Sequence, residues 1–133
     1  MSVFAQSLAL SAQGMQAQST RLRHVAENIA NADTPGFRRK TVPFHAAPLP
    51  GEGPGGASGV AAGRVQLDRR ELPRIYDPGH ILADETGHYA GSTVDLMIEI
   101  ADAREAQRSY EANLRLFEQT RQMSQSLMSL LRR

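Results

Sequence analysis

Only a few side chains here have the type and spacing to do chemistry. His80, Asp84 and His88 stand four apart, the interval that would put metal ligands on one face of a helix. Pro78, Gly79 and Gly87 sit among them and forbid a continuous helix, so the spacing loses its meaning. The run Gly53-Pro54-Gly55-Gly56 is glycine-rich, but it lacks the Lys-Ser/Thr pair and the following helix of a phosphate loop. Arg38-Arg39-Lys40 is a basic cluster with no aromatic stacking platform beside it. It reads as a loop cluster that steers assembly or keeps the loop soluble, not as a nucleic-acid or lipid site. His24 and His45 are isolated and read as packing or surface residues. The chain has no cysteine, hence no thiolate nucleophile, disulfide or Cys-based zinc site. No Ser-His-Asp set and no HExxH motif occurs. The reading is a protein that is not an enzyme, with no metal and no cofactor.

Composition agrees. The 133 residues carry 15 Lys+Arg against 14 Asp+Glu, a net charge of +1. A phosphate-binding surface would show a clear basic excess, so nucleic acid is not an expected partner. Seven aromatics and no Trp leave little payload for a self-sufficient core. Residues 1–20 contain no charged side chain. Gln and Ser interrupt their apolar pattern and no basic n-region precedes it, so the stretch does not read as a signal peptide. No run of about 18 apolar residues occurs, so a membrane-spanning helix is not expected.

Any site must be positioned by two helices and a small centre. Nine of the eighteen Gly and Pro residues lie within residues 47–63, and none lies in residues 92–133. That divides the chain into an N-terminal helical segment (1–33), a central turn and β element (34–91) with a flexible loop at 47–63, and a long C-terminal helix (92–133). The fold class is mainly α: two terminal helices form an antiparallel coiled-coil-like layer, with a small β-rich element between them.

From Phe4 to Asn31, Leu8, Met15, Leu22 and Ile29 recur every seven residues with Phe4 and Val25 at the complementary offset, a helical seam. Ser11 and Gln18 occupy that second offset where a strong coiled coil would have Val or Leu, so the stripe is thin. Gly14 lets a neighbouring backbone approach closely at a propensity cost of about 1 kcal/mol. Asn31 reads as a left-handed C-terminal cap, and Pro35 biases Thr34 away from helical angles. Thr34-Pro35-Gly36-Phe37 has the residues of a type II turn. Short strands are expected at residues 41–44, 65–67 and 72–76, with turns at 77–80 and 84–89.

Ser92-Thr93-Val94-Asp95 reads as a capping box. The helix it opens runs unbroken to Leu131, about 60 Å at 1.5 Å per residue. Its expected stripe is Leu96, Ile100, Ala103, Gln107, Tyr110, Leu114 and Phe117, shifting to Leu116, Thr120, Met123, Leu127 and Leu130. A two-helix hairpin leaves long faces uncovered, and the centre is too small to cover them. Burial against other chains resolves this, and head-to-tail contacts give an open helical polymer. The isolated chain is then expected to be partly disordered at both ends and to order on assembly.

Residues 26–37 (AENIANADTPGF) resemble the N-terminal signature of the bacterial flagellar rod and hook axial proteins. Residues 108–114 (RSYEANL) resemble the matching C-terminal signature. The short length is similar to that of the proximal rod proteins of the basal body. Within them, Tyr76-Asp77-Pro78-Gly79-His80 followed by Ala83-Asp84-Glu85-Thr86-Gly87 resembles the FlgC type, with Gly79 and Ile81 departing from its pattern. Residues 91–96 resemble the neighbouring FlgB type.

The resemblance implies a structural rod subunit that polymerises through its terminal helices, transmits torque and lines the export channel. It implies export into the periplasmic rod by the flagellar type III apparatus without a cleaved signal peptide. The implied partners are other rod proteins and the rod–export-gate adaptor, in a helical hetero-polymer. Expected interface residues are Leu8, Met15, Leu22 and Ile29 on the first helix and Asn28, Asn31, Asp33, Pro35, Gly36 and Phe37 in the signature. On the second helix they are Tyr110, Asn113, Leu114, Phe117, Met123 and Leu127. Asn28 and Asn31 would bond a neighbouring chain and fix axial register, or else cap the helix and face solvent. The rival from another class is a soluble coiled-coil adaptor or export chaperone, which would close its seams as a discrete dimer.

Overall fold

The computed structural model describes residues 2–132 of the chain. Helix α1 spans Val3–Ala30 and helix α2 spans Leu96–Leu131. Six short strands lie between them: β1 (Lys40–Thr41), β2 (Phe44–Pro48), β3 (Ser58–Ala62), β4 (Gln66–Leu67), β5 (Arg74–Tyr76) and β6 (His88–Ala90). They form three separate antiparallel pairs, β1–β4, β2–β3 and β5–β6.

Helix α1 begins where the Ser2 hydroxyl accepts the Ala5 N–H at 3.1 Å, satisfying one of the amides that a helix start leaves without a partner. It ends at Asn31, whose N–H reaches Glu27 O and Asn28 O. The Asn31 backbone has φ −109°, so it caps without the left-handed geometry expected for it. Pro35-Gly36 then makes the expected type II turn: Gly36 has φ +75° and the Phe37 N–H closes on Thr34 O at 3.2 Å. That φ favours a residue without Cβ.

The loop expected at residues 47–63 is shorter than its composition implies. Small residues in 57–62 pair as strand β3 with β2, in register from Phe44↔Ala62 to Pro48↔Ser58. The hairpin lies on α1, where Gln13 Nε2 donates to Pro48 O at 3.3 Å, and Leu49 is buried at its turn. Pro43 has no N–H for a ladder, and the strand expected at 41–44 is accordingly split into β1 and β2.

The opening of α2 also differs. Asp95, not Ser92, is the cap, accepting the Met97 N–H at 3.0 Å. The Ser92 hydroxyl instead donates to Ala32 O in the opposite loop, a contact no local pattern reveals. At 36 residues, α2 is about 54 Å long.

The helices run antiparallel. Gly14 lies against Asn113, Arg21 meets Asp102 and Glu105, and Asn28 meets Glu99. Val3, eleven residues before Gly14, thus comes opposite the neighbourhood of Ser124, eleven residues after Asn113. The last two turns of α2 run past the start of α1. Among the described residues only Ala17, Val25, Leu49 and Ala106 are buried hydrophobics. The described residues form two helices and almost no core of their own.

Candidate assembly interface

The residues that join the two helices are polar. Asn28 is completely buried near the end of α1. Its amide is bidentate on one residue of the facing strand: Nδ2 donates to Lys40 O at 2.8 Å, and Oδ1 accepts the Lys40 N–H at 2.8 Å. The same Nδ2 donates to Glu99 Oε2 at 3.2 Å. Glu99 is also completely buried, and its other carboxylate oxygen takes the Arg39 Nε–H. Arg39 continues to Asp102 at 2.7 Å, and Arg21 reaches Asp102 and Glu105 at 3.4 and 3.3 Å. Lys40 Nζ donates to Glu27 at 3.0 Å, which holds the Glu27 carboxyl below its ordinary range. A buried carboxylate is tolerated only when paired and hydrogen-bonded, and Glu99 has both.

The turn after α1 is fastened to the strand-to-helix segment that opens α2. The Gly36 N–H reaches Ala90 O and Gly91 O, the Thr93 N–H reaches Phe37 O at 3.1 Å, and the Arg39 N–H reaches Thr93 Oγ1 at 2.8 Å. Arg38 donates to Asp68 O and Arg70 O. The Arg70 side chain and N–H bond the Asp68 carboxylate and lower its pKa to about 2. The signature is therefore an internal clasp: it closes the helix hairpin at the end where the chain turns.

Asn28 does not face solvent: its amide bonds are made inside the subunit. This corrects one expectation: the Arg38-Arg39-Lys40 cluster is not a free loop charge, because two of the three cations are paired with carboxylates of α1 and α2. Sequence reasoning did not assign Arg39, Glu99, Asp102, Arg21 and Thr93 to one site. One signal was present: Glu99 and Asp102 lie three apart on the helix, next to the residues that proved to be buried.

The other signature residues have separate tasks. Asn31 Nδ2 donates to Glu27 O, and Thr34 Oγ1 donates to Asn31 Oδ1. Asp33 is exposed, whereas Pro35 and Phe37 are half-buried and Gly36 is exposed in the turn. His80, Asp84 and His88 do not converge on a metal site. His80 stacks on Tyr89 with ring centroids 3.9 Å apart, and Asp84 binds Thr86, Arg74 and the His88 N–H. Those bonds, the Thr86 hydroxyl foremost, hold the Asp84 carboxyl far below its ordinary range.

Of the two offsets expected to form the seam, the second supplies the deeper contact. On α1 its Ser11 and Val25 are buried, together with Gly14, Ala17, His24 and Asn28, while Leu8, Met15 and Leu22 of the first offset are only half-buried and Ile29 is exposed. On α2, Glu99, Ala106 and Thr120 are buried, and Tyr110, Asn113 and Phe117 are half-buried with them. The reason is close approach. A Cβ on Gly14 would lie 2.6 Å from Asn113 Oδ1, so the helices meet where their side chains are small. The large aliphatics are left outside: Leu96, Met97, Ile98, Ile100, Leu114, Leu116, Met123, Leu127, Met128 and Leu130 are all exposed. Among the described residues no helix is long and apolar enough to cross a membrane.

Known proteins resemble this chain in sequence. Residues 8–38 match the family profile described as flagella basal body rod protein, and residues 85–130 match that of the flagellar basal body rod FlgEFG protein C-terminal region. The flagellar basal-body rod protein FlgC of Agrobacterium fabrum is 44% identical over 126 residues, covering 90% of this chain and 88% of the relative. FlgC of Aquifex aeolicus is 34% identical over 121 residues, covering 88% and 89%. FlgC of Salmonella typhimurium is 31% identical over 122 residues, covering 87% and 89%. This chain belongs to the FlgC family of flagellar basal-body rod proteins. As a FlgC-family protein it is a structural subunit of the proximal rod, not an enzyme, and it assembles with other rod proteins. The two matched segments fall on the two halves of the clasp: the first runs from α1 through the type II turn to Arg38, and the second holds Thr93, Glu99, Asp102 and the rest of α2. The likeness of residues 91–96 to FlgB yields to whole-chain similarity to FlgC.

Proposed function

We propose that this FlgC-family subunit polymerises through the uncovered faces of its terminal helices, with the clasp fixing the hairpin that it presents. The observation that carries this reading is the exposed aliphatic row of α2. Full burial of a Leu or Met side chain is worth about 1.5–3 kcal/mol. With Met123, Leu127, Met128 and Leu130 all exposed, that stabilisation is absent until a neighbouring subunit covers them. The last turns of α2, beyond the start of α1, have no intrachain partner helix to cover them. Leu8, Met15, Leu22, Ile29 and Leu114 lie beside the polar seam and extend the same contact surface.

In this reading the terminal helices form the inner layer of the periplasmic rod, line the export channel and carry torque. The uncharged first 20 residues suit a layer in which one chain lies against the next. Neighbours are the other rod proteins and the rod–export-gate adaptor. The subunit reaches the rod through the flagellar type III apparatus without leader cleavage, as the family implies.

The test is complementation of a deletion strain with Met123→Glu/Leu127→Glu. Both positions are exposed in the subunit, so the purified variant should keep its helicity. The cells should lack rods and motility while the export gate remains intact. Normal rods and swimming would overturn the proposal. Light scattering of the wild-type protein gives the second arm: open-ended association agrees with it, whereas a discrete dimer favours a coiled-coil adaptor.

A further inference from the structure

Two features of the central element complement each other: a knob, and a groove whose lining borrows Arg39 from the clasp and Ile98 from α2. The first is the knob. Residues 77–87 connect β5 to β6, and their backbone is tightly tied: His80 N–H to Asp77 O, Ala83 N–H to His80 O, Gly87 N–H to Asp84 O and Asp84 N–H to His88 O. Asp84 accepts from Thr86 and His88 and pairs with Arg74, and His80 receives the Leu82 N–H on Nδ1 while stacking on Tyr89. This ordered tip holds two aliphatic side chains in water: Ile81 is 94% exposed and Leu82 is 60% exposed. Glu85 stands three residues further on, exposed, and no described side chain pairs with it. A loop so strongly bonded loses little further freedom on docking, and preorganisation of that kind favours binding.

The second is a groove of ≈ 1070 Å³ between the β1–β4 pair and the start of α2. Its exposed apolar walls are Val65, Leu67 and Ile98. Its rim carries Arg38, Arg39, Arg69 and Arg70 against one carboxylate, Asp68. Arg39 is consumed by Glu99 and Asp102, and Arg70 by Asp68. Arg38 bonds only backbone carbonyls, and Arg69 meets no carboxylate among the described residues. The groove thus asks for aliphatic side chains followed by a carboxylate, and the 77–87 tip offers Ile81, Leu82 and Glu85.

We propose that the tip of one subunit docks in the groove of a second copy of this chain, with Ile81 and Leu82 against Val65, Leu67 and Ile98, and Glu85 facing Arg69 and Arg38. Knob and groove are different surfaces, so the contact is head-to-tail and repeats from copy to copy without closing into a two-fold dimer. It is an outer contact, additional to the helix faces, and it rests on the reading above only in requiring copies to lie side by side.

The absence of native cysteine makes the test direct. Full-length chain carrying Val65→Cys is mixed with full-length chain carrying Ile81→Cys under a mild oxidant. All the altered positions are exposed, so the fold is retained, which circular dichroism checks. The mixed disulfide should dominate both homodimers. Arg69→Glu in the first chain should lower its yield several-fold, and adding Glu85→Arg in the second should restore it. A mixed disulfide no more abundant than the homodimers, or a yield that ignores the charge swap, overturns the proposal. Occupation of the groove by a different rod protein would give the same negative result. Light scattering of the cysteine-free chain carrying Arg69→Glu, in which this contact is disabled, reads helix-mediated association separately. Scattering of that chain without the mixed disulfide rejects only this contact; the mixed disulfide without that scattering rejects only the helix reading.

Discussion

Replacing Asn28 tests the clasp at its least replaceable atom pair. Asn28→Ala removes the acceptor for the Lys40 N–H and the donor for Lys40 O, both 2.8 Å away, as well as the donor to Glu99. An unsatisfied buried polar group costs about 1–3 kcal/mol, and two backbone groups lose their partner here. Alanine returns roughly 0.6 kcal/mol of helix propensity. The expected net loss is about 1–5 kcal/mol, a large share of the roughly 5–15 kcal/mol by which domains are usually stable. Asn28→Asp keeps the acceptor but turns the donor into an oxygen facing Lys40 O and Glu99 Oε2. It should therefore be worse than alanine at pH 7, despite the smaller change in shape. The introduced carboxyl sits beside a buried carboxylate, so its folded pKa is raised above the unfolded value of about 3.9. A raised pKa means that the folded state holds the proton more tightly, so the defect should shrink as pH falls from 7 towards 5. Urea unfolding followed by helix circular dichroism at both pH values measures this. Asn28→Asp at or near wild-type stability at pH 7, or a defect that does not respond to pH, would refute the clasp.

Other predictions concern neighbouring points of the same architecture. Gly14→Ala gains about 1 kcal/mol of helix propensity, but its Cβ would lie within 2.9 Å of three Asn113 atoms, and overpacking costs about 1–3 kcal/mol. The single variant should be no more stable than wild type, whereas in an Asn113→Ala background the same change should stabilise; unfolding of the four chains gives the coupling. Gly36→Ala meets nothing within 4 Å, so its cost is the φ of +75° alone, about 1–2 kcal/mol, with the fold intact by circular dichroism. The Asp68 carboxyl, lowered from 3.8 to about 2, contributes stability that is present above pH 4 and lost as pH falls from 4 through 2. Carboxyl NMR should find that its pKa rises towards 3.8 in Arg70→Gln.

The sequence reading was strongest where local rules dominate. Breakers and periodicity placed both helices, and Pro35-Gly36 placed the turn, because capping, φ restriction and propensity act over a few residues. It was weakest where the outcome depends on what lies opposite. Periodicity gives two offsets, and the one with Leu8, Met15, Leu22 and Ile29 is the more apolar. The structure buries Ser11 and Val25 of the other offset more deeply, with Gly14 and Asn28 beside them, because backbone approach at Gly14 and the bonds of Asn28 and Arg21 decide the contact. The clasp joins residues 28, 39–40, 93, 99 and 102, and no spacing rule reaches across that distance. Residues 58–62 read as linker from their small side chains, yet small side chains are what a strand needs to lie close on α1.

The polar character of the seam suits what an assembling subunit must specify. An apolar heptad row is tolerant: sliding one helix by a turn or a heptad still brings aliphatics against aliphatics. Polar contacts are not tolerant. Asn28 can satisfy both backbone groups of Lys40 only where Lys40 lies, and buried Glu99 must meet Arg39 or remain an unpaired charge in the interior, which is strongly unfavourable. Gly14 accepts Asn113 only at its own level. These contacts recur at seven-residue intervals along α1, at Gly14, Arg21 and Asn28, and together they select one register for the hairpin. A single buried Asn can set register in a coiled coil at a cost in stability, and here a whole row does so. On the proposed function, stability given up inside the subunit leaves the aliphatic rows free for contacts between subunits, where area matters more than uniqueness because the clasp has already set the shape.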